Sequence, residues 1–233
     1  RIIYSPEDLS CVWERNDAER GREEFQFGVN IAAYATGKER LAPKLEQYKL
    51  IASKKAVTAT PGAFTLAQVM YTSSNWNVHP MAGPRLLEFI NKKAGLSVSS
   101  EQVNIALTDR NLSNYPFLYL TGVRRFTLAD EEKKALREYI ERGGFLFADA
   151  ACGSPEFDEA FKSIMAEVFA SQPLEAIPPD IPVYHIAYDT TRVTYAAAVR
   201  ELNPSLSTFT LYGIKVNDRL AVVYSPYDIG AAL

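Results

Sequence analysis

The chain has 233 residues, of which 47% are hydrophobic and 23% charged, and its formal net charge is −3. This composition is typical of a folded globular protein and excludes a largely disordered chain. The weakly negative charge excludes the basic surface that neutralises phosphates, so we expect no nucleic-acid partner. The longest apolar runs, such as FGVNIAAYA, are far shorter than the roughly 20 residues that a membrane helix needs, so we expect no membrane span in this segment.

The cysteine count limits the cofactors that the chain is expected to hold. Cys11 and Cys152 are its two cysteines, which are too few for a disulfide framework and lack the spacing of metal ligands. We therefore predict no zinc, iron–sulfur or other cofactor. The chain begins at Arg1 rather than at a methionine, so a targeting segment upstream would not be visible, and the sequence predicts no compartment.

The first part of the chain is predicted to form a tail that precedes the main domain. Residues 1–48 begin with a β-branched and aromatic run, IIYS, and a Ser-Pro turn. An amphipathic helix follows from Phe25 and stops at Gly37. Residues 49–63 mix Pro, Lys, Ala and Thr and are predicted to be a connector.

From residue 64 to residue 233 strand patterns alternate with helix patterns. The predicted strands are FTLAQVMY, VNIAL, PFLYLTG and FLFADA, and the predicted helices are AGPRLLEFINKKAG, TLADEEKKALREYIERGG and EFDEAFKSIMAEVF. Thr127 is the expected N-cap of the second helix. The alternation predicts a three-layer α/β domain in which a mostly parallel sheet carries helices on both faces.

The last third of the chain is rich in strand patterns. IPPDIP, VYHIAY and TLYGIKVNDRLAVVYS make this part strand-rich, and VNDR between two apolar runs predicts a hairpin turn. We interpret His185, within VYHIAY, as a residue that forms hydrogen bonds inside the fold.

One phrase occurs near both ends of the chain. IIYSPEDLS at residues 2–10 and VVYSPYDIG at residues 222–230 share Tyr, Ser, Pro and Asp at matching positions. Either the chain contains the end of one repeating unit followed by most of the next unit, or a Ser-Pro pair after a strand recurs by chance. A repeat predicts that the first strand and helix form an appendage or dock onto a neighbouring chain, so self-association through this segment is one hypothesis.

Longer segments resemble a known family. They are YPFLYLTGVRRFTLADEEKKALREYIERGGFLFADAACGSPEFDEAF, RLAVVYSPYDIG, and the opening YSPEDLSCVWE with FGVNIAAYATG. They resemble, in permuted order, a bacterial family of domains of unknown function that has a class I glutamine amidotransferase-like, flavodoxin-like fold. Residues 127–151 are also similar to the LTxEQxxALxxYVxxGGGxVGIHAA pattern of trehalose-utilisation-type proteins. The resemblance implies an amidotransferase-like domain over residues 64–233.

In that fold the nucleophile lies at the sharp turn after the glycine-led strand. The residue predicted at this turn is Asp149, and Cys152 follows three positions later. The catalytic His and Glu of the amidotransferases have no match in this chain. The resemblance therefore implies the scaffold without glutamine hydrolysis.

Candidate site residues follow from the predicted sheet. Ligands bind beyond the carboxyl ends of parallel strands, where loops and helix N-termini supply donors. Asp149 and His79 are the catalytic candidates. The candidate ligand contacts are Ser74, Asn75, Trp76, Thr121, Arg124, Cys152, Ser154, Tyr224, Ser225 and Asp228.

Several of these residues have two interpretations from sequence alone. The Trp76 loop either stacks on a polar ligand or caps the core. Asp149 is either a base or nucleophile, or a helix cap or salt-bridge partner. His79 is a general base or a structural residue, and Cys152 a reactive thiol or a small apolar filler.

Two functions are consistent with these patterns. The first is a non-catalytic module that binds a small polar ligand or a partner protein, and it is favoured because no complete set of nucleophile, base and orienting group is recognisable. The alternative is a hydrolase that uses Asp149 with His79 or His185.

Overall fold

The computed structural model of the protein describes residues 63–72, 75–94, 97–99, 102–191 and 209–229, together with Gln26, Val29 and Ala33. The predicted strand at residues 2–5 and almost all of the predicted connector lie outside these residues. The tail and the connector therefore stay predictions.

The described residues form a seven-stranded sheet with the strand order β2-β1-β3-β4-β7-β6-β5. Its strands are β1 (Ala67–Met70), β2 (Val103–Ala106), β3 (Phe117–Gly122), β4 (Phe145–Ala150), β5 (Glu175–Ala176), β6 (Tyr212–Val216) and β7 (Arg219–Ser225). The strands from β2 to β7 in this order pair in parallel, whereas β6 runs antiparallel to both of its neighbours. The predicted α/β architecture with a mostly parallel sheet is confirmed.

Three α-helices lie in the described part of residues 63–191: α1 (Ala82–Phe89), α2 (Asp130–Glu141) and α3 (Pro155–Val168). A π-helical turn, Ile90–Ala94, extends α1. Two apolar clusters cover opposite faces of the sheet. The first contains Leu136 of α2 and Phe161 of α3, and the second contains Leu86 and Leu87 of α1. Because β3 and β4 are buried on both faces, their sequences are nearly continuous apolar runs.

The N-terminal tail contributes at least one residue to this core. Gln26, Val29 and Ala33 are helical, as the pattern from Phe25 predicts, and Val29 is fully buried within the second cluster. At this position the tail packs on the core of its own chain. Self-association through the segment stays a prediction.

The helix starts show where sequence patterns mislead. The prediction of Thr127 as the N-cap of α2 was wrong, since α2 begins at Asp130 and its N-cap position is Ala129. The carboxylate of Glu132 accepts a hydrogen bond from the Ala129 N–H at 2.8 Å, so a side chain inside the first turn satisfies this donor.

The prediction of a strand for VYHIAY was also wrong. Pro182–Tyr184 form a 3-10 turn, and prolines around this segment remove the N–H donors that a strand ladder needs. His185 is exposed, and its Nε2 lies 2.8 Å from the carbonyl oxygen of Asp180.

The predicted VNDR hairpin is confirmed. β6 and β7 pair on either side of Asn217 and Asp218, whose φ angles are 52° and 58°. Two successive left-handed residues are the signature of a type I′ turn, which matches the twist of the strands that it joins.

The sheet ends in a very short edge strand. β5 has two residues, both exposed, and Pro178 and Pro179 follow it closely.

Candidate functional site

Three polar residues lie side by side at the carboxyl ends of the central strands. Thr121 of β3 pairs in register with Asp149 of β4, and Asp149 pairs with Ser225 of β7. All three are fully buried. Because strand residues alternate between faces, this polar row lies on the face that α1 covers. The predicted site residues Thr121, Asp149 and Ser225 are therefore brought together, but beneath the rim rather than on its surface.

The carboxylate of Asp149 is held from below by Tyr119. The Tyr119 hydroxyl donates to Asp149 Oδ1 at 2.9 Å, and the Thr121 hydroxyl donates to the Asp149 carbonyl at 3.2 Å. Burial, together with the negative charge of Asp149, holds the pKa of Tyr119 well above its ordinary value. Tyr119 therefore keeps its proton and acts as a donor to the carboxylate.

The prediction that Asp149 occupies the sharp turn was wrong. Asp149 lies inside β4, and the turn is the 3-10 segment Ala151–Gly153. Within it, Cys152 has φ 56° and ψ 16°. A residue with a Cβ costs about 1–2 kcal/mol in this left-handed region. Asp149 is not the cap of α3 either, since the Ser154 hydroxyl accepts from the Phe157 N–H at 3.4 Å.

The turn presents Cys152 at the surface. Cys152 is exposed and forms no disulfide. The Ser154 hydroxyl donates to the carbonyl of Val123, in the loop after β3, so the beginning of α3 is tied to the neighbouring strand. Strained residues of this kind concentrate at functional sites, where surrounding contacts hold them in place.

A single carboxylate joins three loops at this rim. Asp228 Oδ2 accepts a hydrogen bond from the backbone N–H of Cys152 at 2.5 Å and lies 3.2 Å from His79 Nε2. The His79 and Asp228 side chains are only 2% and 7% exposed. The loops after β1, β4 and β7 thus converge on one buried acceptor. We call Cys152, His79 and Asp228 the rim cluster.

The Trp76 loop contributes His79 to the rim cluster. Ser74 lies outside the described residues, and Asn75 is half-buried. The Trp76 side chain packs against the first apolar cluster. Its carbonyl accepts from the Gln68 side chain at 2.5 Å. These contacts support the interpretation of Trp76 as a residue that caps the core.

The remaining candidates differ in where they lie. Arg124 is exposed in the loop after β3. Tyr224 points away from the polar row, because its hydroxyl donates to Asp158 Oδ1 in α3 at 2.8 Å. The Ser225 hydroxyl donates to the Tyr227 carbonyl at 2.7 Å and accepts the Tyr227 N–H at 3.1 Å. Ser225 therefore shapes the turn that carries Asp228.

Two residues of this region were not among the site residues predicted from the sequence. Tyr119 and Gln68 lie within strands that read as apolar runs, and both are almost fully buried. A polar group within a buried strand needs a partner, and here the partners are Asp149 and the Trp76 carbonyl. The alternation of faces, which aligns Tyr119 with Thr121, was the one available signal.

The described residues offer neither a cluster of metal ligands nor a helix that could span a membrane. They contain no group of three or more His, Cys, Asp or Glu side chains arranged to hold a metal ion. Among the described helices, none combines the length and the apolar character needed to cross a bilayer.

The rim lies within a region that matches a protein family. A family model, described as domain of unknown function DUF4159, matches residues 65–233. Among curated proteins, none matches the chain. The match confirms the predicted membership of a domain-of-unknown-function family, whereas the amidotransferase-like fold and the similarity to trehalose-utilisation-type proteins stay predictions. The protein is a member of the DUF4159 family.

Proposed function

We propose that this protein binds a small polar ligand at the rim cluster, on an amidotransferase-like scaffold, and that the Cys152 thiol contacts the ligand. The observation that carries the proposal is the Asp228 carboxylate, which holds the backbone of an exposed, left-handed Cys152 and also contacts His79. The exposed Cys152 thiol and the exposed Arg124 guanidinium offer hydrogen-bond donors and charge to such a ligand.

The energetic cost of this arrangement supports a functional role. Burying the Asp149 carboxylate and the His79–Asp228 pair is expensive, and well-packed apolar residues in such places are often equally stable or more stable. The left-handed Cys152 adds a backbone cost that glycine would avoid. Departures of this kind from the most stable choice are expected at sites that serve function.

A thermal-shift screen tests the binding role. We expect amino acids, carboxamides or monosaccharides in such a screen to include compounds that raise the unfolding midpoint, since a ligand of the folded state stabilises it by mass action. The same compounds should not raise the unfolding midpoint of Asp228→Asn, because this variant lacks the charged acceptor that holds the Cys152 turn.

The matched control for this screen is Asp180→Asn, which neutralises an exposed carboxylate that is not a member of the rim cluster. It should respond like the unmodified protein. Equal midpoint shifts in Asp228→Asn and Asp180→Asn, or no shift with any compound, would overturn the binding proposal.

A second candidate is a thiol-dependent hydrolase in which Cys152 replaces Asp149 as the nucleophile. The strand-turn-helix position and positive φ of Cys152 resemble the strained turn that exposes a nucleophile in hydrolases, whereas Asp149 is fully buried. In the reaction, Cys152 Sγ bonds to a carbonyl carbon, the leaving group departs with the thiol proton, and water then cleaves the thioester to release the acid and restore the thiol.

Acetylation by p-nitrophenyl acetate tests this second candidate in a Cys11→Ala background, where Cys152 is the single thiol. We expect an acetyl adduct on Cys152 by mass spectrometry, formed at least about tenfold faster in the folded protein than in urea. Water should then remove the adduct over repeated turnovers. Equal rates in the folded and unfolded chain, or an adduct that is never hydrolysed, would exclude this reaction and leave the binding role.

A further inference from the structure

A cavity lies between α2 and the segment that joins β2 to β3, and it shares no lining residue with the rim cluster. It has a volume of about 390 Å³ and is bounded by the segment after β2, by the C-terminal half of α2 and by Gly143 and Gly144. Pro116 and Gly144 in its lining immediately precede β3 and β4, so the cavity extends to the amino ends of these strands. Its volume is within the range of small-molecule sites, about 300–1,000 Å³.

One wall of the cavity is rigid and partly apolar. The Tyr139 hydroxyl donates to the Tyr115 carbonyl at 2.8 Å and accepts the Phe145 N–H at 3.3 Å. A Cβ on Gly144 would lie 2.3 Å from the Tyr139 ring, so the ring packs directly against the glycine backbone. Leu112 and Pro116 extend this apolar surface.

The charged side chains in the cavity lining differ in whether they have an ion-pair partner. Glu138 and Arg142 form an ion pair at 3.4 Å, and the Asp109 carboxylate accepts the Asn111 N–H at 2.7 Å. Arg110 is exposed and forms no ion pair within the described part of the chain. Arg110 is therefore the cation of the lining that has no ion-pair partner in the described part of the chain, and the Asp109 charge is met by a backbone N–H alone.

We propose that this cavity is a second binding site, which takes a small carboxylate with an apolar body. The Arg110 guanidinium offers the planar pair of donors that matches a carboxylate, and the Tyr139 ring, Leu112 and Pro116 receive the apolar body. The site is independent of the rim cluster, because it shares no residue with it.

Benzoate is a suitable probe, with benzamide as its uncharged analogue. In a calorimetric or chemical-shift titration of the full chain, we expect benzoate to bind saturably and Arg110→Gln to weaken it by about tenfold, as the loss of a charge-assisted hydrogen bond implies. Benzamide should bind the unmodified protein about as weakly as benzoate binds Arg110→Gln.

Arg137→Gln is the matched control, because it removes the same charge from the exposed part of α2, where Arg137 lies 3.8 Å from Glu141. It should leave benzoate affinity unchanged, as should Cys152→Ala, which separates this site from the proposed rim function. The proposal fails if benzoate does not saturate, if benzamide binds equally well, or if Arg110→Gln and Arg137→Gln have the same effect. Urea unfolding of each variant verifies that it is folded.

Discussion

Replacing Phe161 by alanine should lower the free energy of unfolding by about 3–5 kcal/mol, the range for truncating a buried aromatic side chain. Phe161 of α3 is fully buried, and its ring centroid lies 4.2 Å from that of Tyr224 in β7 and 6.3 Å from that of Phe157. Phe157 in turn stacks on Phe126 at 4.8 Å. The substitution removes apolar area and interrupts this aromatic row, which attaches α3 to the sheet.

Urea unfolding followed by circular dichroism measures the effect. Ser163→Ala is the control, because Ser163 is exposed on the same helix and its truncation should change stability by no more than about 0.5 kcal/mol. A loss for Phe161→Ala as small as that of the control would contradict the view that this row anchors α3. Since α3 begins directly after the Cys152 turn, loosening it should also disturb the rim cluster.

Replacing Asp228 by alanine should cost about 2–3 kcal/mol, because it removes a charged acceptor from two nitrogen atoms at once. One is the Cys152 N–H at 2.5 Å and the other is His79 Nε2 at 3.2 Å. Both side chains of the pair are almost fully buried, so water replaces the lost contacts poorly. The left-handed turn at Cys152 would also lose a contact that holds it.

The same urea titration tests this substitution against two others. Asp228→Asn keeps a neutral oxygen acceptor and should lose about half as much stability, since charge-assisted hydrogen bonds are roughly twice as strong as neutral ones. Asp180→Ala removes an exposed carboxylate and should change stability by about 0.5 kcal/mol or less. Were Asp228→Ala no worse than Asp180→Ala, the carboxylate would not be the connection between the three loops.

The central sheet was the part of the fold that the sequence predicted best. The predicted strands PFLYLTG and FLFADA match β3 and β4 to within one residue, because strands buried on both faces need continuous apolar runs. The segment VYHIAY shows that an apolar sequence pattern is not sufficient to predict a strand. Its apolar residues do contribute buried side chains, such as Val183 and Tyr184, but a turn between prolines buries them as well as a strand would.

The site was predictable in location but not in detail. Parallel strands bring their carboxyl ends to one edge, which explains why loops distant in sequence were expected to meet there. Whether Asp149 or Cys152 occupies the bend depends on where β4 ends, and an apolar run does not fix that residue. The contact between His79 and Asp228 joins residues 149 positions apart, and no local pattern encodes such a pair.

The shortness of β5 has a consequence for the behaviour of the protein in concentrated solution. A strand at the border of a sheet exposes free backbone donors and acceptors, which invite an extended peptide from another molecule to join. With two residues in β5 and prolines soon after it, an incoming peptide finds few backbone groups to pair with. This border of the sheet is therefore poorly suited to seeding fibrils, even though the hairpin beside it is rich in β-branched residues.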